Sequence, residues 1–72
     1  MNNLNVAKIQ LNGNSFEIKR GANLNDLLNE LKIKKNKVAI EVNGEIVQSD
    51  MYENLVLKKD DKVEIVHFIG GG

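Results

Sequence analysis

The sequence predicts a small α+β domain in which one helix packs across one face of a mixed sheet of four to five strands. Two Asn-Gly pairs separate runs that have the apolar alternation of strands, and a leucine-rich segment between them has the helical period. A further apolar run lies near the end of the chain. With 72 residues, of which 42% are hydrophobic, we expect a single folded domain over residues 1–72.

A β-hairpin is predicted at the start. Residues 4–11 alternate apolar and polar side chains, and Asn12-Gly13 follows them. Both residues of this pair tolerate the positive φ angles of a type I′ turn, which makes the pair a strong hairpin signal. Phe16 and Ile18 then alternate with polar residues on the return strand.

The segment RGANLNDLLNELKIKK has the apolar period of a helix. Asn23 precedes the first leucine and is suited to cap the helix, and Asp26 adds negative charge where the helix dipole favours it. A helix of two to three turns is not stable alone in water, so its apolar face is expected to lie on the sheet. That face consists of Leu24, Leu27, Leu28 and Leu31.

Two further strands are predicted on either side of Asn43-Gly44, over residues 38–42 and 46–47. The following stretch is irregular, with Tyr52 and Leu55 as the expected apolar anchors. A tight polar turn at residues 58–61 precedes the last strand.

The last strand, residues 63–69, is apolar on both faces, with Val63 and Ile65 on one and Val66 and Phe68 on the other. A strand without polar alternation is typical of the centre of a sheet. The order ββαβββ, with a right-handed crossover through the helix, is that of the β-grasp or ubiquitin-like architecture.

Composition excludes several classes of function. The chain has no cysteine, so disulfides and thiolate metal sites are excluded. Ten basic and ten acidic side chains cancel, which argues against a general nucleic-acid binder. No apolar run is long enough to span a membrane and the start does not resemble a signal peptide, so we expect a cytoplasmic protein.

The side chains of the folded body do not suggest an active site. His67 is the only histidine and has no evident catalytic or metal-binding companions, so a structural or surface role is favoured and no metal site is expected. One basic cluster is present, and we interpret it as a solvated helix end in preference to a contact with an acidic partner. It consists of Lys32, Lys34, Lys35 and Lys37.

The sequence ends VHFIGGG, and this end is the feature that points to chemistry. Gly70, Gly71 and Gly72 are expected to form a flexible arm thin enough to enter a narrow channel. Transfer of the Gly72 carboxylate to the α-phosphate of ATP would give an acyl adenylate that a sulfur nucleophile can attack. The product would be a terminal thiocarboxylate.

Several segments in order resemble the ThiS/MoaD family of ubiquitin-like sulfur carriers, namely LNGNSFEI, NLNDLLNEL, VAIEVNGEIV, KKDDKVEI and VHFIGGG. The resemblance implies a protein co-substrate that is not itself an enzyme and binds no cofactor. A ThiF-type enzyme would adenylate Gly72 with ATP and magnesium, and a cysteine desulfurase or another donor would supply the sulfur.

The resemblance also implies that the thiocarboxylate donates its sulfur to the thiazole synthase ThiG in thiamine biosynthesis. Val66, Phe68 and Ile69 would dock on the partner proteins, and the free protein would be a monomer. Two alternatives stay open: the same chemistry in molybdopterin, cysteine or tRNA thiolation pathways, and an interaction module whose terminus is never activated. The absence of proline favours thiamine, because MoaD-type carriers often have a proline before the diglycine.

Overall fold

The computed structural model describes residues 5–69 and contains five strands, one α-helix and two short 3-10 helices. Their order along the chain confirms the predicted ββαβββ arrangement. The strands are β1 Val6–Leu11, β2 Asn14–Lys19, β3 Val38–Val42, β4 Glu45–Val47 and β5 Lys62–His67; the helix α1 is Leu24–Leu31, and the 3-10 helices are Lys35–Lys37 and Ser49–Met51.

The five strands form one mixed sheet in the order β2-β1-β5-β3-β4. The last strand, β5, lies in the centre, where it pairs parallel to β1 and antiparallel to β3. The two hairpins, β1–β2 and β3–β4, are antiparallel and lie on opposite sides of β5. The β-grasp prediction and the central position of the last strand are therefore confirmed.

Both Asn-Gly pairs turn their hairpins as predicted. The φ angles are 49° at Asn12 and 84° at Gly13, and 53° at Asn43 and 86° at Gly44. Positive φ at both central residues is the requirement of a type I′ turn, which matches the right-handed twist of the flanking strands. The choice of asparagine and glycine at these positions therefore fixes the register of both hairpins.

Helix α1 begins with a capping box. The Asn23 side-chain oxygen accepts a hydrogen bond from the Asp26 N–H at 2.8 Å, and the Asp26 carboxylate accepts one from the Asn23 N–H at 3.0 Å. The Asn23 amide nitrogen also donates to the Glu53 carbonyl at 3.1 Å. The predicted cap is confirmed, and it additionally ties the start of the helix to the segment between β4 and β5.

The core lies between α1 and one face of the sheet. Three of the four predicted helix leucines are buried, and Leu31 is half-buried at the helix end. Tyr52 is only 2% exposed, as its predicted anchoring role requires, whereas Leu55 is half-buried. Leu57, which the sequence analysis did not single out, is also buried. No helix among residues 5–69 has the length and apolar character needed to cross a membrane.

Burial of Tyr52 leads to a pH-dependent stability. Burial raises the pKa of its phenol above the ordinary value of 10.0, because the charged form loses solvation. The unfolded chain therefore releases this proton at a lower pH than the folded chain, and the free energy of unfolding should fall as pH rises above about 10. Urea unfolding from about pH 8 to pH 11 should show a steeper fall for the wild type than for Tyr52→Phe, which has no ionisable hydroxyl. Equal slopes for the two proteins would contradict this assignment.

Candidate functional site

The C-terminal end of β5 is the place where the chain leaves the sheet. His67 is paired with Val38 at the start of β3. One residue later, the Phe68 N–H donates a hydrogen bond to the Lys37 carbonyl at 2.9 Å. The chain is therefore held against β3 as far as Phe68, four residues before its end.

The first half of β5 is held on both sides, and two asparagine side chains contribute. The Ile65 N–H donates to the Asn12 side-chain oxygen at 2.7 Å, and the Asn12 N–H donates to the Val63 carbonyl at 2.8 Å. On the other side, the Lys62 N–H donates to the Asn43 side-chain oxygen at 2.9 Å. The sequence analysis gave these asparagines a turn role only. An asparagine in a hairpin turn supplies an acceptor that glycine lacks, and here both acceptors bind β5.

Beyond Ile65, the β1 side of β5 is open. Strand β1 ends beside Val63, since Leu11 is its last paired residue. Alternate residues of a strand direct their backbone groups to opposite sides, so the groups of His67 face the same side as the Ile65 N–H. Among residues 5–69, no strand is paired with His67 on that side. The end of β5 therefore presents a free strand edge.

Apolar side chains at this end of the sheet are exposed to solvent. Val66, Phe68 and Ile69 are 59%, 62% and 99% exposed, and we call them the apolar patch. Val63 and Ile65, on the opposite face, are buried in the core. The sequence-based reason for placing β5 in the centre was therefore wrong: hydrogen bonding on both edges makes it central, whereas only one of its faces is covered by the described chain.

The apolar patch is confined to the tail end of the outer face. Val66 is paired with Ala39 on β3. The next row of the sheet carries Glu41 paired with Glu64, and Ile46 is paired with Glu41 on the far side. The exposed Ile46 therefore lies one row away from Val66 and two strands away from it, with Glu41 of β3 between Ile46 and β5.

The remaining sequence candidates do not assemble into a catalytic site. His67 is exposed, as its interpretation as a surface residue requires. Within residues 5–69, no three His, Asp or Glu side chains are grouped so that they would hold a metal ion. A groove of about 640 Å³ lies beside β4, and neither Phe68 nor His67 lines it. Among its lining residues are Ile46, Met51, Val56 and Asp61.

The basic cluster is not simply the end of the helix. Lys32 is the C-terminal cap of α1, with a φ of 60°, but the last turn of α1 contains no basic residue. Lys35 and Lys37 lie in a separate 3-10 helix that leads into β3. The helix-dipole interpretation therefore accounts for Lys32 alone.

Gly70, Gly71 and Gly72 lie outside the described residues. What the structure establishes is the position from which they continue. The described chain ends at Ile69, which is the last residue of the apolar patch and directly follows the backbone hydrogen bond of Phe68. The predicted reacting group is thus attached to the central strand of the sheet.

Comparison with known proteins identifies a family. The model of the ThiS family matches residues 9–72. The sulfur carrier protein ThiS of Bacillus subtilis is 37% identical over 65 residues, which cover 89% of this chain and 98% of that protein. The crystal structure of the thiamine biosynthesis protein ThiS from Geobacter metallireducens superposes with a TM-score of 0.78 at 29% identity and covers 90% of this chain and 99% of that one.

A second kind of relative is a much longer protein that contains a region similar to this chain. A thiazole synthase of Magnetococcus marinus is 45% identical over 65 residues, which are 90% of this chain. The matched region is only 20% of that protein. A region similar to this chain therefore forms a minor part of a larger polypeptide named for thiazole synthesis.

The bond between Asn12 and Ile65 gives a stability prediction. Asn12→Gly retains a residue that accepts positive φ but removes the side-chain acceptor, which leaves the part-buried Ile65 N–H without its partner. The free energy of unfolding should fall by about 1–3 kcal/mol, measured by urea denaturation. Asn12→Asp keeps an acceptor and should lose less. A glycine variant as stable as the wild type would show that this bond contributes nothing.

Proposed function

Because the chain belongs to the ThiS family of sulfur carriers in thiamine biosynthesis, we propose that it carries sulfur as a thiocarboxylate at Gly72. The observation that supports this most is the place on the sheet from which the C-terminal glycines continue. The glycines continue from a central strand that is hydrogen-bonded as far as Phe68, and an exposed apolar patch lies beside their point of departure. This chain is therefore the substrate of the chemistry and not its catalyst.

The proposed chemistry takes place at the carboxyl carbon of Gly72. A carboxylate oxygen attacks the α-phosphorus of ATP, held with magnesium by a ThiF-type enzyme, and pyrophosphate leaves. The terminal sulfur of a donor persulfide, such as that of a cysteine desulfurase, attacks the acyl carbon and AMP leaves. A thiol then cleaves the resulting acyl disulfide, so that the thiocarboxylate keeps one sulfur and the thiol forms a disulfide with the donor.

The glycines suit this chemistry for a steric reason. Without a Cβ atom, the backbone can lie close to the walls of a narrow channel that admits no side chains. Gly72 is the fourth residue after Phe68, and an extended chain spans at most about 3.6 Å per residue. The carboxyl group can therefore reach about 14 Å beyond the last bond to Lys37, deep into a partner while the folded domain stays outside.

The apolar patch is the proposed docking surface. A contiguous group of exposed apolar side chains next to a functional terminus marks an interaction site more often than a random surface feature. The free edge of β5 at His67 offers backbone groups beside the same patch. A partner that covers Val66, Phe68 and Ile69 would bury the patch and align the glycine arm in one step.

Thiazole synthase, ThiG, is the proposed acceptor of the sulfur. Support comes from the Magnetococcus marinus thiazole synthase, in which a region similar to this chain is part of the same polypeptide. Fusion of a carrier to its acceptor raises their effective concentration without any new contact. The present chain, as a separate polypeptide, would then form the corresponding contacts by binding to ThiG.

Removal of the last residue tests the site of chemistry. The chain is incubated with a ThiF-type enzyme, ATP, magnesium and a persulfide donor, and its intact mass is measured. We expect the wild type to gain the mass difference between sulfur and oxygen, whereas a form lacking Gly72 should be processed far more slowly because its carboxylate is one residue short of the catalytic position. Equal conversion of both forms, or no conversion of the wild type, would contradict the proposal.

Substitution of Phe68 tests the docking surface. Phe68→Ser should raise the Kd for the ThiF-type enzyme at least about tenfold, roughly 1.4 kcal/mol, because an aromatic anchor is lost. Ile46→Ser is a matched control, since Ile46 is 63% exposed on the same face but lies on the edge strand β4, with Glu41 of β3 between it and β5. Both side chains are exposed, so both variants should fold. Equal effects of the two substitutions would argue against a localised patch.

A further inference from the structure

Four exposed lysines lie in the segment between α1 and β3, namely Lys32, Lys34, Lys35 and Lys37, and we call them the lysine cluster. The Lys37 carbonyl accepts the last backbone hydrogen bond of the described chain, from Phe68 at 2.9 Å. Val38, the next residue, is paired with His67. The lysine cluster and the apolar patch therefore lie at the same end of the molecule.

The lysine cluster has no anionic partner within residues 5–69. No acidic residue occurs between Lys32 and Lys37, and none of the four ammonium groups forms an ion pair with a described carboxylate. Glu30, the acidic residue nearest in sequence, is exposed and likewise unpaired with them. Like charges held close together raise the energy of the free protein, and an acidic partner would relieve that repulsion.

Charge is separated along the molecule although the net charge is zero. The lysine cluster holds four of the ten basic side chains and none of the ten acidic ones, so six basic and ten acidic side chains belong to the remainder. The turn that precedes β5 holds both signs of charge instead, with Lys58 and Lys59 next to Asp60 and Asp61.

We propose that the lysine cluster is an electrostatic docking surface for an acidic rim around the active-site entrance of the enzyme that adenylates the terminus. This inference rests on the proposed function and adds the sign of charge and the position of the contact. Because the chain has no net charge, an acidic enzyme attracts it only weakly as a whole. The clustered lysines nevertheless favour the orientation in which they face the acidic rim. The glycine arm then faces the entrance when the two proteins meet.

Geometry favours a protein surface over the phosphates of ATP as the anionic partner. The carboxyl group of Gly72 can extend about 14 Å beyond the level of Lys37 in a stretched chain. A lysine side chain of the cluster extends from its backbone over a shorter distance than this stretched segment. When the carboxylate reaches the nucleotide, the lysine cluster therefore stays at the entrance and faces the rim.

Association kinetics test this proposal. The test variant carries Lys34→Gln, Lys35→Gln and Lys37→Gln; the control carries Lys19→Gln, Lys58→Gln and Lys59→Gln, which removes the same charge from exposed lysines outside the cluster. Stopped-flow mixing with the ThiF-type enzyme should show about a tenfold lower association rate for the test variant at low salt. The rates of wild type and test variant should converge near 1 M salt, where the Debye length is about 3 Å. The KM for ATP should not change.

Three results would overturn the inference. Equal slowing of test and control variants would mean that net charge matters and the position of the lysines does not. A test variant as fast as the wild type at low salt would show that the cluster does not guide association. A rise in the KM for ATP alone would place the lysines on the nucleotide. Failure of the wild type to be adenylated at all is a separate outcome, which would overturn the proposed function and this inference together.

Discussion

Hydrogen bonding along both edges of β5 is the constraint on which the fold depends. On one side, Asn12 binds Ile65, 53 residues later in the chain, and on the other Asn43 binds Lys62, 19 residues later. These long-range bonds join two local hairpins into a single sheet, with the last strand between them. Because β1 runs parallel to β5 and ends beside Val63, only β3 accompanies β5 to its end. The C-terminal segment therefore leaves from a strand that is fixed at its base and open along one edge.

Local features were predictable from the sequence, and long-range ones were not. The turns at Asn12-Gly13 and Asn43-Gly44, the cap at Asn23 and the leucine face of α1 follow from the conformational preferences of neighbouring residues. The bonds of Asn12 and Asn43 to β5 and the burial of Leu57 depend on partners distant in sequence, and no local pattern signals them. Val66 and Phe68 show the limit of apolar patterning, since exposed and buried apolar residues look alike in the sequence of a strand. The two kinds of residue differ only in which face of the sheet they lie on, because helix α1 covers one face and leaves the other exposed.

Under the proposed function, three tasks are divided among separate parts of one small domain. The sheet fixes the point of departure at Phe68, the apolar patch offers area for a partner, and the lysine cluster gives that end a positive charge. None of these parts holds side chains grouped for catalysis within the described residues. This division fits a chain that is handed between enzymes, because recognition and reaction involve different atoms.

In the proposed function, the carboxyl carbon of Gly72 holds the transferred sulfur. The most direct measurement is tandem mass spectrometry of the C-terminal peptide after incubation with the adenylating enzyme, ATP and a sulfur donor. The chain has no cysteine, so no thiol elsewhere can hold a persulfide and confuse the result. We expect that sulfur replaces a carboxyl oxygen of Gly72 and that every fragment lacking Gly72 has its unmodified mass. Sulfur located in any other fragment, or an unmodified terminus after ATP has been consumed, would contradict it.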